Sequence, residues 1–175
     1  MKTGKTVKVL LALTTAASML AGCGSKTDTD TFRFASELDI QGMDSTVVDD
    51  GMSFNAIHAI TDGLTAVNEK GKTAPAIAKS WDVSDDGKTY TFHLRDAKWT
   101  NGDKVTANDF VYSWRKIIKD AGNYAYMLGS GGASVKNADA LMELGANATD
   151  EQMATLGVTA KDDKTLVVEL ENKVP

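Results

Sequence analysis

Cysteine, histidine and proline are scarce in this chain of 175 residues, which contains one cysteine, two histidines and two prolines. With a single cysteine, no disulfide can form within the chain. His58 and His93 form no close pair and belong to no HExxH motif, so they lack the usual spacing of zinc ligands. We therefore predict no metal site, and we interpret both histidines as structural or solvated residues.

Sequence motifs of catalysis and cofactor binding are also missing. Gly-Lys-Thr occurs at Gly4, Gly71 and Gly87, but none of the three has the glycine five positions earlier that a phosphate-binding loop needs. No aspartate pair belongs to a calcium-binding loop with its distal glutamate, and there is no GxSxG nucleophile elbow. We predict that the protein is not an enzyme and has no catalytic residue and no cofactor.

Basic residues are outnumbered, since 19 lysines and arginines stand against 24 aspartates and glutamates and the formal net charge is −5. An acidic chain lacks the basic face that nucleic-acid binding requires, so we expect no nucleic-acid partner. The hydrophobic fraction of 42% and the charged fraction of 25% are those of an ordinary globular protein. The length suits one domain or part of a larger protein.

The amino-terminal segment has the features of a signal peptide. Lys2, Lys5 and Lys8 form a basic region. The apolar run Val9–Leu20 that follows is too short for a comfortable transmembrane helix. We predict that residues 1–22 are a signal peptide and that the polar residues 23–31 form a flexible tether.

The apolar run ends in Leu20-Ala21-Gly22-Cys23, which resembles a bacterial lipobox. The resemblance implies cleavage before Cys23 and attachment of a diacylglycerol to its thiol. Acyl chains inserted in a bilayer would then anchor the protein. The alternative is a signal peptide without lipid, which leaves Cys23 as a free thiol.

The stretch from Trp81 to Lys116 predicts a hairpin, a turn and a helix. Apolar residues alternate with polar ones on both sides of Asp86-Gly87, as in two half-buried strands joined by a tight turn. Thr106 and Asp109 suit the N-cap and first turn of a helix with one apolar face. Four large aromatic residues of this stretch are expected to be mostly buried: Trp81, Phe92, Trp99 and Trp114.

Shorter patterns predict further elements. The alternation at Phe32–Phe34 predicts a short strand. Ser53 is expected to cap a helix whose apolar face extends to Leu64. Thr149 begins a capping-box pattern, and an acidic turn at residues 162–164 is expected between two strands.

Several short sequence motifs, in fixed order and at fixed spacing, resemble those of the oligopeptide-binding family, the solute-binding proteins of peptide ABC importers. They are Ala78-Lys79-Ser80-Trp81, Asp86-Gly87, Tyr90 to Arg95, Lys98-Trp99-x-Asn101-Gly102 and Thr106 to Trp114. The resemblance runs from about Phe32 to Pro175. Several motifs in a fixed order identify the family far more specifically than any one motif does.

The resemblance implies an α/β fold, the N-terminal part of a two-lobed periplasmic-binding-protein-like type II fold with mixed sheets, hairpins and packed helices. On this basis residues 32–46 start a large lobe, residues 47–170 form a smaller accessory lobe, and residues 171–175 start the return to the large lobe. Members of the family continue beyond this point, so the chain is expected to be a fragment truncated at Pro175.

The resemblance also implies a ligand site. In the family, a segment that matches Val48, Asp49, Asp50 and Gly51 lies against the ligand through its backbone. A tyrosine that matches Tyr124 reaches the ligand from the smaller lobe. From the residues alone, the alternatives are an acidic surface turn and a loop tyrosine packed on the surface.

The function that the resemblance implies is capture of oligopeptides and their delivery to the transmembrane subunits of an ABC permease with its ATPases. The protein is then expected at the cell membrane, lipid-anchored through Cys23 and facing the extracellular side or the periplasm. Two alternatives remain open: a lipoprotein receptor for signalling peptides, and a structural or adhesion lipoprotein without a small ligand.

Replacement of Cys23 tests the anchor. We expect Cys23→Ala to leave an unprocessed or released protein, because the thiol that would carry the lipid is lost. Membrane fractionation, combined with mass spectrometry of the mature amino terminus, measures the outcome. A variant that stays membrane-bound at its mature size would contradict the lipid anchor.

Overall fold

The structure, a computed structural model, describes residues 35–174. The chain divides into two units, Met1–Glu37 and Leu38–Pro175, and the helices and strands given below belong to the second. The predicted signal peptide, the tether, the lipidated Cys23 and the strand at Phe32–Phe34 lie outside the described residues. Within residues 35–174, no helix has the length and apolar character needed to cross a membrane.

The described chain has one helix followed by four strands, then a run of helices, then two strands. Their order is α1 Gly51–Ile60, β1 Thr65–Val67, β2 Thr73–Pro75, β3 Ala78–Val83, β4 Thr89–Leu94, α2 Ala107–Lys119, a 3-10 helix Ala125–Met127, α3 Ala138–Leu144, a 3-10 helix Gly145–Asn147, α4 Asp150–Met153, β5 Val158–Asp162 and β6 Thr165–Glu169. β1 pairs with β2, and the other strands form an antiparallel sheet in the order β3-β4-β6-β5. The predicted α/β fold class is confirmed.

β3 and β4 form the predicted hairpin. Trp81 pairs with Phe92 and Val83 pairs with Tyr90, so the alternating apolar residues of the two strands lie on one face of the sheet. Gly87 adopts a φ of +70° in the turn, a conformation that glycine tolerates without strain. A second hairpin, β5–β6, closes across the acidic turn at residues 162–164, as predicted.

Helix α2 begins after the predicted N-cap residue Thr106, and Asp109 completes a capping box there. Asp109 Oδ2 accepts a hydrogen bond from Thr106 N at 2.7 Å. The main-chain amide of the N-cap residue thus has a hydrogen-bond partner. Ala107, Val111 and Ile118 are buried along the helix and form part of the core. The helix packs mainly on β5 and β6. Its buried residues therefore lie between the helix and this half of the sheet.

The core lies between α2, α3 and one face of the sheet. Its fully buried side chains include Leu94 on β4, Leu166 on β6 and Ile118 on α2. Leu141 on α3 is also buried in this cluster. Full burial of each large aliphatic side chain contributes about 1.5–3 kcal/mol, so this cluster is the main source of stability for the described unit.

The amino-terminal cap of α1 differs from its prediction. Asp50, not Ser53, is the N-cap residue, and its Oδ1 accepts a hydrogen bond from Ser53 N at 2.8 Å. Ser53 lies inside the helix and is fully buried. Its Oγ accepts hydrogen bonds from Gln41 N and Gly42 N. Aspartate and serine are both good caps, and the tertiary contact with residues 41–42 decides between them.

Helix α1 also ends earlier than predicted. Its last residue is Ile60, because Thr61 adopts an extended backbone with φ −133° and ψ 130°. Leu64 therefore lies beyond the helix, and it packs against the core from the segment that leads into β1.

The large aromatic residues of the central stretch are less buried than predicted. Trp99 is 49% exposed, so its predicted burial is wrong. Trp81, Phe92 and Trp114 are only half-buried. The reason is that α2 packs mainly on β5 and β6, which leaves the part of the same face over β3 and β4 uncovered.

Truncation of Ile118 tests the core. Ile118→Ala should lower the free energy of unfolding by about 2–5 kcal/mol, because it leaves a cavity under α2. Ile60→Ala is the matched control, since Ile60 is 74% exposed and a surface truncation should cost under about 0.5 kcal/mol. Urea denaturation of both variants gives the two values, and equal losses would contradict the described core.

The cap of α1 gives a prediction about pH. Hydrogen bonds from the side chain and the backbone of Ser53 lower the pKa of Asp50. A carboxyl group with a lowered pKa stabilises the fold above its unfolded pKa and loses that contribution as the pH falls through the folded value. The difference in unfolding free energy between the protein and Asp50→Ala should therefore be full at pH 7 and shrink below about pH 4.

Urea denaturation at several pH values measures that difference. Asp49→Ala is the control, because Asp49 is exposed and precedes the cap. A difference for Asp50→Ala that stays constant from pH 7 to pH 2.5, approximately, would show that the ionised carboxylate does not stabilise α1.

Candidate functional site

A tight turn at residues 44–48 positions the segment that the sequence predicts to contact a ligand. Asp44 Oδ1 accepts hydrogen bonds from Thr46 N at 2.9 Å and from Thr46 Oγ1 at 2.6 Å. The Asp44 carbonyl accepts from the amides of Val47 and Val48 at 3.2 and 3.1 Å. The side-chain and backbone hydrogen bonds from Thr46 lower the pKa of Asp44, so the carboxylate is ionised and holds this turn at neutral pH.

The four predicted contact residues differ in what they expose. Val48 is buried, at 6% exposed, and a Cβ added to Gly42 would lie 3.0 Å from its Cγ1. Asp49 and Gly51 are exposed, and Asp50 is half-buried at the cap of α1. Val48 therefore offers a ligand little surface, whereas Asp49 offers both main chain and carboxylate.

The main chain of this segment carries unpaired groups. Among residues 35–174, neither the Val48 carbonyl nor the amide and carbonyl of Asp49 takes part in a backbone hydrogen bond. The next carbonyl, that of Asp50, accepts from Phe54 N at 3.2 Å. Unpaired backbone groups on an exposed residue such as Asp49 can pair with the main chain of an extended polypeptide.

Asn123 joins this segment to the predicted ligand tyrosine. Its main-chain amide donates to the Thr46 carbonyl at 2.9 Å, and its Nδ2 donates to the Val47 carbonyl at 2.6 Å. Gly122 permits the close approach, because a Cβ at this position would lie 2.8 Å from the Thr46 carbonyl oxygen. The structure thus brings Tyr124, which is distant in sequence, beside the segment.

Tyr124 also contacts helix α1 through an aromatic cluster. Its ring centroid lies 5.4 Å from that of Phe54, with the planes at 77°, and 6.4 Å from that of Tyr126. Phe54 in turn lies 6.1 Å from the His58 ring. The edge-to-face geometry is a favourable one. Phe54 therefore holds Tyr124 beside the first turns of α1, where the tyrosine is half-buried.

Sequence patterns do not single out Phe54 or His58 as site residues. Apolar spacing places Phe54 on the face of a helix that is expected to be buried, and His58 has no metal-ligand partner in sequence. Their spacing of i and i+4 does predict that they share one side of α1. The contact with Tyr124 has no sequence signal, because it depends on where the chain returns after α2.

The chemistry offered by these residues is suited to binding. They supply main-chain donors and acceptors at Val48 and Asp49, an exposed carboxylate, and the ring and hydroxyl of Tyr124. Within residues 35–174, no group of three or more histidine, cysteine, aspartate or glutamate side chains is placed to hold a metal ion. His93 Nε2 lies 2.8 Å from Asp82 Oδ2 and is paired there.

A family model places this geometry in context. The model of bacterial extracellular solute-binding proteins, family 5 middle, matches residues 72–175. The dipeptide-binding protein of Lactococcus lactis subsp. cremoris is 37% identical over 179 residues, covering 100% of this chain and 31% of that relative. The chain thus spans less than a third of the length of this relative.

Solved structures give the same result. The substrate-binding domain of an oligopeptide ABC transporter from Bacillus anthracis is 37% identical, with a TM-score of 0.72 over 81% of this chain and 26% of that chain. Haemophilus influenzae OppA in complex with RPPGFSPFR is 39% identical, with a TM-score of 0.69 over 77% of this chain and 26% of that chain. The chain belongs to the bacterial extracellular solute-binding proteins of family 5.

Proposed function

We propose that the protein captures oligopeptides outside the cytoplasm and delivers them to the transmembrane subunits of an ABC permease with its ATPases. Val48 to Gly51 and Tyr124 contact the peptide in this proposal. Cys23 carries a lipid that anchors the protein to the cell membrane, on the extracellular face or in the periplasm. The peptide part is supported by the relatives, which are dipeptide-binding and oligopeptide-transport proteins.

One observation carries the proposal. The unpaired main-chain groups of Val48 and Asp49 follow directly on Thr46 and Val47, to which Asn123, the neighbour of the half-buried Tyr124, is hydrogen-bonded. A peptide in extended conformation presents its own amides and carbonyls along each edge, so it can pair with such groups whatever its sequence. The tyrosine adds apolar contact with a side chain of the peptide and keeps a hydroxyl for water or for a polar group.

These contacts suit a ligand of variable sequence. Main-chain hydrogen bonds do not depend on side-chain identity, and water can fill the space that a smaller side chain leaves. The exposed carboxylate of Asp49 adds attraction for a basic group of the peptide. Broad selectivity is what a protein that supplies peptides to a cell requires.

The proposal also assigns the lobes. Residues 32–46 begin a large lobe, residues 47–170 form the smaller accessory lobe, and residues 171–175 begin the return to the large lobe. Closure of two lobes about a hinge would bury the peptide and present one closed surface to the permease. A lipid at Cys23, with the tether of residues 23–31, would keep this surface near the membrane.

Replacement of Tyr124 tests the site. Tyr124→Ala should weaken peptide binding about tenfold, the loss typical of a central aromatic contact, and Tyr124→Phe should lose less because the ring remains. Tyr112→Ala is the matched control, since Tyr112 is 68% exposed on α2 and is not part of the site. Isothermal titration calorimetry with defined tripeptides to pentapeptides gives the dissociation constants.

Two outcomes count against the proposal. Equal affinity of the protein and Tyr124→Ala for every peptide would make Tyr124 a surface tyrosine without a ligand role. The absence of any peptide binding, with no ligand-induced closure by small-angle scattering, would favour an adhesion lipoprotein. Growth of a deletion strain on peptides as the amino-acid source separates nutrient uptake from a receptor for signalling peptides.

A further inference from the structure

A large apolar hollow lies on the open half of the sheet. Its volume is about 860 Å³, within the range of about 300–1,000 Å³ that is typical of pockets for small ligands. β3 and β4 form its floor, α2 forms one wall, and the segment after α1 forms another. Six aromatic side chains line it: Trp81, Tyr90, Phe92, Trp99, Phe110 and Trp114.

The rings in this hollow are not covered by the described helices. α2 packs mainly on β5 and β6, so the aromatic residues of β3 and β4 have a wall beside them but no cover above. Trp81, Phe92 and Trp114 are half-buried and Trp99 is about half-exposed. Parts of all six rings therefore reach one open hollow, and a largely apolar hollow of this size is the usual form of a binding site for a small ligand.

The hollow is separate from the candidate peptide site. Asp50 and Phe54, in the first turns of α1, belong to that site, whereas Ile60 at the end of α1 lines the hollow. A helix of ten residues is about 15 Å long, so a small ligand in one place does not fill the other. Tyr124 does not line the hollow.

The lining of the hollow includes one basic and one acidic side chain that can pair with charges of a ligand. Lys98 and Asp62 both line it, and in the part of the chain that the structure describes neither is in an ion pair. Asp109 lines it as well, but its carboxylate is used in the capping box of α2. The hydroxyl groups of Thr65 and Ser113 add hydrogen-bond donors and acceptors.

We propose that this hollow is a second binding site, for short peptides that have aromatic side chains and free termini. Aromatic rings contact one another in offset-stacked and edge-to-face arrangements that an aliphatic side chain cannot reproduce. The terminal carboxylate of the peptide pairs with Lys98, and its terminal ammonium pairs with Asp62. The main-chain groups between them meet the hydroxyl groups of the lining. This site goes beyond the proposed function, which needs only the segment beside Tyr124.

Tryptophan fluorescence gives a direct readout of the hollow. The chain has three tryptophans, and Trp81, Trp99 and Trp114 all line the hollow. The experiment titrates the 175-residue chain with the peptide Ala-Phe-Phe-Ala, which has no tryptophan of its own. We expect a saturable change in emission, and we expect Ala-Leu-Leu-Ala to bind about tenfold more weakly because it lacks the rings.

Variants at exposed positions test the named contacts without disturbing the core. Trp99→Ala should weaken binding of Ala-Phe-Phe-Ala about tenfold. Lys98→Ala should weaken it about two- to fivefold and should have no effect on the same peptide with an amidated carboxyl terminus. Lys104→Ala is the matched control, because Lys104 is exposed and does not line the hollow. Circular dichroism of each variant checks that the fold is retained.

Four results would overturn the second site. The first two are no change in emission at millimolar peptide and an equal response to the leucine peptide. The third is an equal effect of Lys98→Ala and Lys104→Ala on binding. The fourth is emission that depends on protein concentration without peptide, which would place a second copy of the chain in the hollow. Tyr124→Ala distinguishes this proposal from the proposed function. It should leave the fluorescence titration unchanged, and a titration abolished by Tyr124→Ala would assign the signal to the first site.

Discussion

The packing of one helix on a sheet that is wider than the helix is the constraint on which the described unit depends. Four strands about 4.8 Å apart present a face about 15–20 Å wide, whereas a helix with its side chains is about 10 Å across. α2 therefore covers about half of the face, over β5 and β6. The buried core lies around Ile118 and Leu166 and reaches Leu94 at the end of β4, and the rest of the face over β3 and β4 is the aromatic hollow.

The candidate peptide site depends on a different kind of interaction. It is built from loops and helix ends held by main-chain hydrogen bonds, with Asn123 fastened to the carbonyls of Thr46 and Val47. Such bonds fix backbone positions closely. In this protein the unpaired groups are those of Val48 and Asp49, and the aromatic contact between Phe54 and Tyr124 holds the ring beside them.

The predictions that succeeded concern interactions between residues close in sequence. The hairpin at Gly87 and the N-cap Thr106, with Asp109 in the first turn of α2, are confirmed, because both are decided within a few residues by turn and cap chemistry. Where two local solutions were equivalent, the prediction was wrong. Asp50 and Ser53 are both suitable caps for α1, and Ser53 is instead buried against residues 41–42.

The sequence by itself determined the fold class, the position of the central hairpin and helix, and the residues that belong to the family pattern. It could do so because periodicity, turns and caps are local properties. Only the tertiary structure decided that Trp99 stays exposed, that Tyr124 meets Phe54, and that all three tryptophans share one hollow. These facts depend on which half of the sheet α2 covers and on where the chain returns after α2. Both are set by contacts between residues far apart in sequence, so no local pattern predicts them.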